Sequence, residues 1–243
     1  MGDPAGIGPE ILVRTLLDGD GNEDARGKKT ATEHTRWILV GAHWALEKGA
    51  ETLSRALPPL HHIAAPDEAI PGWNLLDLGM PEPADFRLGQ VRSACGDLAV
   101  QAVEWAAKRC LNGELAAMVT APINKEAIHT AGYVNDIGHQ EILARLAGVS
   151  QTATMLMTPG LRVVHLSTHK SLAKAVEFVT AAQVLGKLHL IHDTLTQWGL
   201  AQPRIAVAAL NPHGGEGGLL GREEIEELTP AVASARQAGI DAT

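Results

Sequence analysis

Six consecutive apolar residues follow Arg204: Ile205, Ala206, Val207, Ala208, Ala209 and Leu210. A strand apolar at every position reads as buried on both faces. Parallel sheets layered by helices provide that environment. Four further short runs read as strands, at residues 37–40 (Trp-Ile-Leu-Val), 115–120, 154–157 and 162–167. Helical periodicity fills the gaps between runs. In residues 181–198, Val184, Leu188, Ile191, Leu195 and Trp198 share one face, Thr180 is placed to cap the start, and Gly199 to stop the end. Residues 97–111 form a second helix, with Leu98, Val103 and Trp105 among alanines. A third starts near Arg222, with Ile225, Leu228 and Val232 on one side and Pro230 as a kink. Alternating strand and helix predicts an α/β fold with a mostly parallel sheet. Aromatic residues are only 3% of the chain, so the core is built from Ala, Val, Leu and Ile.

Residues 17–36 are polar and read as a solvated loop, and the acids there lack the spacing of a calcium loop. Residues 58–89 are proline-rich and read as connection, not core. The chain opens on a glycine-rich turn with no strand feeding it. It stops four residues after Gly239, where a new strand is due. The expectation is a fragment cut at both ends.

Twenty basic against 28 acidic side chains give a net charge of −8, with no basic runs. That disfavours nucleic acid and anionic membranes as partners. No apolar run has the length of a membrane span, and the first residues lack the basic-then-apolar pattern of a signal peptide. Cys95 and Cys110 form no disulfide framework, and a cytoplasmic setting is expected.

Five segments carry residues suited to chemistry. Residues 2–10 read Gly-Asp-Pro-Ala-Gly-Ile-Gly-Pro-Glu and open a helix, with Asp3, Gly6 and Gly8 in the turn. Such a loop is either an anion site or a tight structural turn. Residues 120–126 follow a predicted strand and include Lys125, which either holds an anionic group or is a surface lysine. His139 and Gln140 stand at a predicted helix start, and the histidine is either functional or structural. His169 and His213 each follow a predicted strand, His213 within an Asn211-Pro-His-Gly-Gly-Glu-Gly-Gly run. They are either two unrelated loop histidines or the start of a divalent metal site. No Gly-x-Ser-x-Gly elbow supports a serine hydrolase.

Residues 2–10, 120–126, 138–141, 167–169 and 211–218, in this order and spacing, resemble the 4-hydroxythreonine-4-phosphate dehydrogenase family of vitamin B6 synthesis, over essentially the whole chain. The resemblance implies two α/β/α domains with a cleft between them, isocitrate/isopropylmalate-dehydrogenase-like. Residues 1–122 would belong to the first and 123–243 to the second, both incomplete. It implies a homodimer with shared active sites. It also implies NAD-dependent oxidation of a phosphorylated hydroxy acid to a β-keto acid that decarboxylates. A divalent metal (Zn, Mg, Mn or Co) is held by three histidines, two matching His169 and His213. The third lies in a Tyr-His-Asp-Gln-Gly-type segment that residues 1–243 do not contain. His139 and Gln140 match substrate contacts, and Asp3, Gly6, Gly8, Lys125 and Asn211 shape the cleft. No general base is assigned. In the biosynthetic enzyme Thr stands at the place of Gln140, which opens related substrates: threonate or erythronate 4-phosphate, or an aromatic dihydrodiol carboxylate. A metal-dependent hydrolase and a non-catalytic ligand-binding protein are the rival classes.

Overall fold

A computed structural model describes residues 1–18, 35–136, 138–168 and 170–243. Strand β1 (Arg36–Gly41) pairs in parallel with β3 (Gly72–Asp77), Leu39 opposite Leu75 and Val40 opposite Leu76. Successive side chains of a strand leave opposite faces. Leu39 and Leu75 meet Val13 and Leu16 of α1 (Gly8–Asp18) and Leu46 and Ala50 of α2 (His43–Thr52). Val40 and Leu76 meet Ile63, Ala69 and Ala102, the last on α3 (Ser93–Leu111). The short β2 (His61–His62) pairs in parallel with the other edge of β3, giving the order β1-β3-β2. A parallel sheet with apolar side chains packed on both faces is the α/β arrangement the alternation predicts.

The central strand β3 lies within residues 58–89, so the reading of that stretch as connection is incorrect. Gly72, Asn74 and the surrounding prolines interrupt the apolar pattern. Asn74 is nevertheless fully buried. Its amide nitrogen donates to the carbonyls of Trp37, Ile70 and Gly72, and its Oδ1 accepts from Ile70 N–H. A buried amide with these partners is satisfied.

Val100 and Val103 of α3 pack on Ile128 of α4 (Lys125–Thr130) and Ile142 of α5 (His139–Ala147). Tyr133 Oη donates to Asp97, and Arg145 bridges Asp136 and Glu104. Residues 123–150, expected in the second domain, therefore pack on α3. The chain divides into compact units Met1–Ser150 and Gln151–Thr243.

In the second unit, β4 (Met155–Thr158) and β5 (Leu161–Val164) form an antiparallel hairpin, turning at Gly160 with φ +80°. A short helix α6 (Leu172–Glu177) follows. The long helix α7 (Ala181–Gln197) begins where expected, Thr180 accepting from Gln183 N–H. Val184 and Leu188 of α7 pack on Ala231 and Ala235 of α8 (Thr229–Gln237). Leu195 is also buried, while Trp198 is exposed. Before α8 the chain makes a π-helical turn, Glu224–Leu228, and Pro230 sits in the first turn of α8.

Two expected strands differ. Residues 115–120 form no strand, and Val119 is 89% exposed. A strand's N–H and C=O groups need a ladder, and no described segment supplies one here. Residues 204–210 are not buried on both faces. Ile205 and Val207 pack on the α7–α8 core, while Ala206, Ala208, Ala209 and Leu210 are exposed. Their pairing is a short parallel bridge: Ile205 N–H donates to Asp241, and Thr243 N–H to Ile205. Residues 19–34, most of the polar loop, lie outside the described residues. Among the described residues no helix is long and apolar enough to cross a membrane.

Candidate functional site

The first unit brings three of the five segments together. Asp3 N–H donates to Pro122 C=O at 2.9 Å, fastening the glycine-rich turn to residues 120–126. The approach is backbone on backbone. A Cβ on Gly2, whose φ is +81°, would collide with the Pro122 and Ala121 carbonyls, and one on Gly8 would lie 2.5 Å from Met1 O. Only glycine permits this closeness. Asp3 is 4% exposed, and its carboxylate accepts from Ala5 N–H at 2.8 Å. Burial raises its pKa, partly offset by that bond. Cys95 lies beneath the same turn, its thiol pushed up to about 11 by burial first and by Asp3 second. Gly6 has room around it and its N–H closes the turn onto Asp3 C=O.

Asn124 caps α4, its side chain accepting from Ala127 N–H at 3.0 Å, and leaves Lys125 exposed at the first helical position. His139 and Gln140 open α5, as expected. The His139 ring is hydrogen-bonded to the backbone of Ala121, and its Nε2 is buried without a hydrogen-bond partner. Burial holds this imidazole below the usual histidine range, against the bond to Ala121. With its other ring nitrogen donating to Ala121, the neutral ring presents Nε2 as a hydrogen-bond acceptor for a ligand. Gln140 is half-buried beside it.

The second unit holds the run from Asn211. Asn211 Oδ1 accepts from His213 N–H at 2.9 Å and from Gly215 N–H at 3.4 Å. Gly214, Gly215, Glu216, Gly217 and Gly218 are all left-handed, with φ of 58°, 74°, 43°, 66° and 102°. Glycine adopts this freely, whereas a residue with a side chain loses roughly 1–2 kcal/mol there. Glu216 is therefore the strained member. Its Oε1 lies 2.9 Å from His213 Nδ1. Beneath the loop, Glu224 Oε1 accepts from Leu210 N–H at 3.0 Å, and its Oε2 is buried without a partner. Sequence reasoning singles out neither glutamate. The only signal for Glu216 is a carboxylate three residues after a candidate ligand.

A metal-bound histidine typically donates its other ring N–H to a carboxylate, which fixes its aim. Glu216 lies at ion-pair distance from His213 Nδ1, and the exposed imidazole leaves Nε2 as the nitrogen that could hold a cation. His169 lies outside the described residues. Among the described residues no group of three His, Cys, Asp or Glu side chains converges.

The sequence profile of the family described as "Pyridoxal phosphate biosynthetic protein PdxA" matches residues 33–243. A 4-hydroxythreonine-4-phosphate dehydrogenase of Geobacter metallireducens is 38% identical over 247 residues, covering 100% of this chain and 69% of its own length. A D-threonate 4-phosphate dehydrogenase of Salmonella typhimurium is also 38% identical, over 245 residues, 99% of this chain and 71% of its own. Among solved structures, a 4-hydroxythreonine-4-phosphate dehydrogenase from Klebsiella pneumoniae superposes with a TM-score of 0.83 at 36% identity, covering 100% of this chain and 71% of that one. With the match running from residue 33 to residue 243, and relatives of this similarity along the whole chain, the protein belongs to the PdxA family.

Proposed function

We propose that this protein oxidises the secondary alcohol of 4-hydroxythreonine 4-phosphate, with NAD as hydride acceptor, to a β-keto acid that decarboxylates. The observation that carries this reading is the 38% identity to a dehydrogenase of that substrate along the entire chain. In this reading His139 and Gln140 hold the substrate's polar end. The free Nε2 of His139 supports that role. Asp3, Gly6 and Gly8 keep the turn tight, and Lys125 and Asn211 shape the cleft. His169 and His213 hold a divalent cation (Zn, Mg, Mn or Co), which when bound supplies positive charge favouring ionisation of the alcohol. NAD supplies the redox chemistry, while the protein supplies position and polarity. The working form is a homodimer in the cytoplasm, as the family resemblance implies.

Oxidation of D-threonate 4-phosphate is the second reading. A relative with that name is equally similar, and Gln140 offers an amide where the biosynthetic pattern has a hydroxyl. The test is NADH formation on 4-hydroxythreonine 4-phosphate, D-threonate 4-phosphate and erythronate 4-phosphate side by side, with and without divalent metal. Metal-dependent turnover on the first supports the main reading, and turnover only on a sugar-acid phosphate selects the second. Phosphate release without NAD, and no NADH from any of the three, overturns both in favour of a hydrolase.

A further inference from the structure

We propose that Gly2 is a positioning residue for His139: it lets the glycine-rich turn lie against the Ala121 carbonyl and hold that oxygen where it takes the imidazole N–H, so that Nε2 is the nitrogen offered to a ligand. This rests on the reading of His139 as a substrate contact.

The Ala121 carbonyl serves two neighbours. It accepts the ring N–H of His139. It is also what a side chain at Gly2 would strike, since a Cβ there would lie 2.9 Å from both the carbon and the oxygen of that carbonyl, and closer still to the Pro122 oxygen. The turn grips the same segment at two further points. Asp3 N–H donates to Pro122 C=O at 2.9 Å, and a Cβ on Gly8 would come within 3.3 Å of the Ala121 methyl group. Residues 117–124 lie in neither strand nor helix, so no ladder aims the Ala121 carbonyl. The glycine-rich turn aims it, together with the Asn124 cap of α4 three residues further on.

Packing alone does not explain the arrangement. His139 Nε2 is buried without a hydrogen-bond partner, and an unpaired buried nitrogen costs stability that a bond from a ligand restores. Which nitrogen is left for the ligand depends on the bond the other one makes. An acceptor at Nδ1 keeps the proton there and leaves the lone pair on Nε2, ready for a donor on the ligand. The Ala121 carbonyl is that acceptor, and Gly2 sets where it stands. Gly2 acts through Ala121 and His139 and need not touch the ligand.

The experiment is histidine-nitrogen NMR of the whole metal-free protein, with His139 assigned by the signal lost in His139→Ala. Calorimetric titration with 4-hydroxythreonine 4-phosphate is the second readout. The wild type is expected to carry the His139 proton on Nδ1. Gly2→Ala is expected to move it toward Nε2 and to weaken substrate binding by roughly 2–10-fold, the loss of one hydrogen bond. Ala121→Gly adds no atom and loosens the same segment, and is expected to move the proton in the same direction. Gly6→Ala is the control within the turn. A Cβ there has no contact closer than 3.5 Å and none with residues 121–122, so the tautomer is expected to stay. A wild-type proton on Nε2 overturns the proposal, whether or not Gly2→Ala folds. An unmoved tautomer in a Gly2→Ala protein with the native circular dichroism spectrum also overturns it, and so does an equal shift in Gly6→Ala, since any disturbance of the turn then suffices. Unchanged substrate affinity in His139→Ala removes the reading beneath the proposal and is told apart from these by leaving the Gly2→Ala tautomer shift in place.

Discussion

Gly96 and Gly186 are both helix-interior glycines, and the structure predicts opposite results for the same change at each. A Cβ on Gly96 would lie 2.6 Å from Ile128 N and closer still to the Ala127 carbonyl. Ordinary contact begins at 3.4 Å, and the obstacle is the backbone of α4, which cannot swing aside as a side-chain tip can. Gly96→Ala therefore forces α3 and α4 apart by about an ångström. Overpacking of this kind costs about 1–3 kcal/mol, with the upper end expected against backbone. Replacing Gly by Ala in a helix returns about 1 kcal/mol, so the net loss is about 2 kcal/mol. On α7, a methyl group added at Gly186 would have nothing within 4 Å, so Gly186→Ala keeps the propensity gain of about 1 kcal/mol. Urea unfolding followed by far-UV circular dichroism measures both. Four of the five tryptophans, Trp37, Trp44, Trp73 and Trp105, lie in the first unit, so fluorescence follows the unit that holds Gly96. A Gly96→Ala protein as stable as wild type refutes the helix contact described here. A destabilised Gly186→Ala protein refutes the open space on α7.

Tyr133 is the single tyrosine, so its ultraviolet titration is unambiguous. Burial first, then the hydrogen bond to Asp97, push it up to about 12. With the folded value above the ordinary value of 10.0, this group's contribution to stability is present below that pH and is lost as pH rises from there toward 12. Asp97→Ala should bring the midpoint back toward 10, and an unmoved midpoint sinks the assignment. Gln140→Thr should shift substrate preference toward 4-hydroxythreonine 4-phosphate in the NADH assay, and an unchanged ranking removes Gln140 as the selector. His213→Ala and His169→Ala should each abolish metal-dependent NADH formation while leaving the circular dichroism spectrum intact. Activity retained in either variant removes that residue from the ligand set.

The fold class was legible because Leu39 and Val40 sit in an unbroken apolar run, and because Val184, Leu188 and Leu195 repeat at helical spacing. Strand β3 was hidden because its buried Asn74 looks polar in sequence, while its partners are backbone groups near and far along the chain. The run after Arg204 misled in the other direction. Small alanines read as core, yet Ala206, Ala208 and Ala209 are exposed, because apolar character shows what a segment can bury and not what lies against it. In the site, helix starts near Pro9 and His139 could be placed from local signals, while the helix that opens at Lys125 reads as loop in the sequence. The Glu216 contact could not, since it depends on left-handed backbone at a residue that seldom adopts it.

The bond from Asp3 to Pro122 spans nearly half the chain. Closing so long a loop has an entropic cost that contacts made on the way must offset. The glycine-rich turn therefore cannot settle when its own residues are made, well before residues 120–126. It must wait until α3 and α4 have emerged and packed, bringing the Pro122 carbonyl within reach. A ribosome paused before that point would carry a nascent chain with its sheet residues in place and its first turn still open. Limited proteolysis of stalled chains of increasing length would show protection at residues 2–8 arriving late and in step with protection of α4. A turn made before both helices is thus settled only after they have packed.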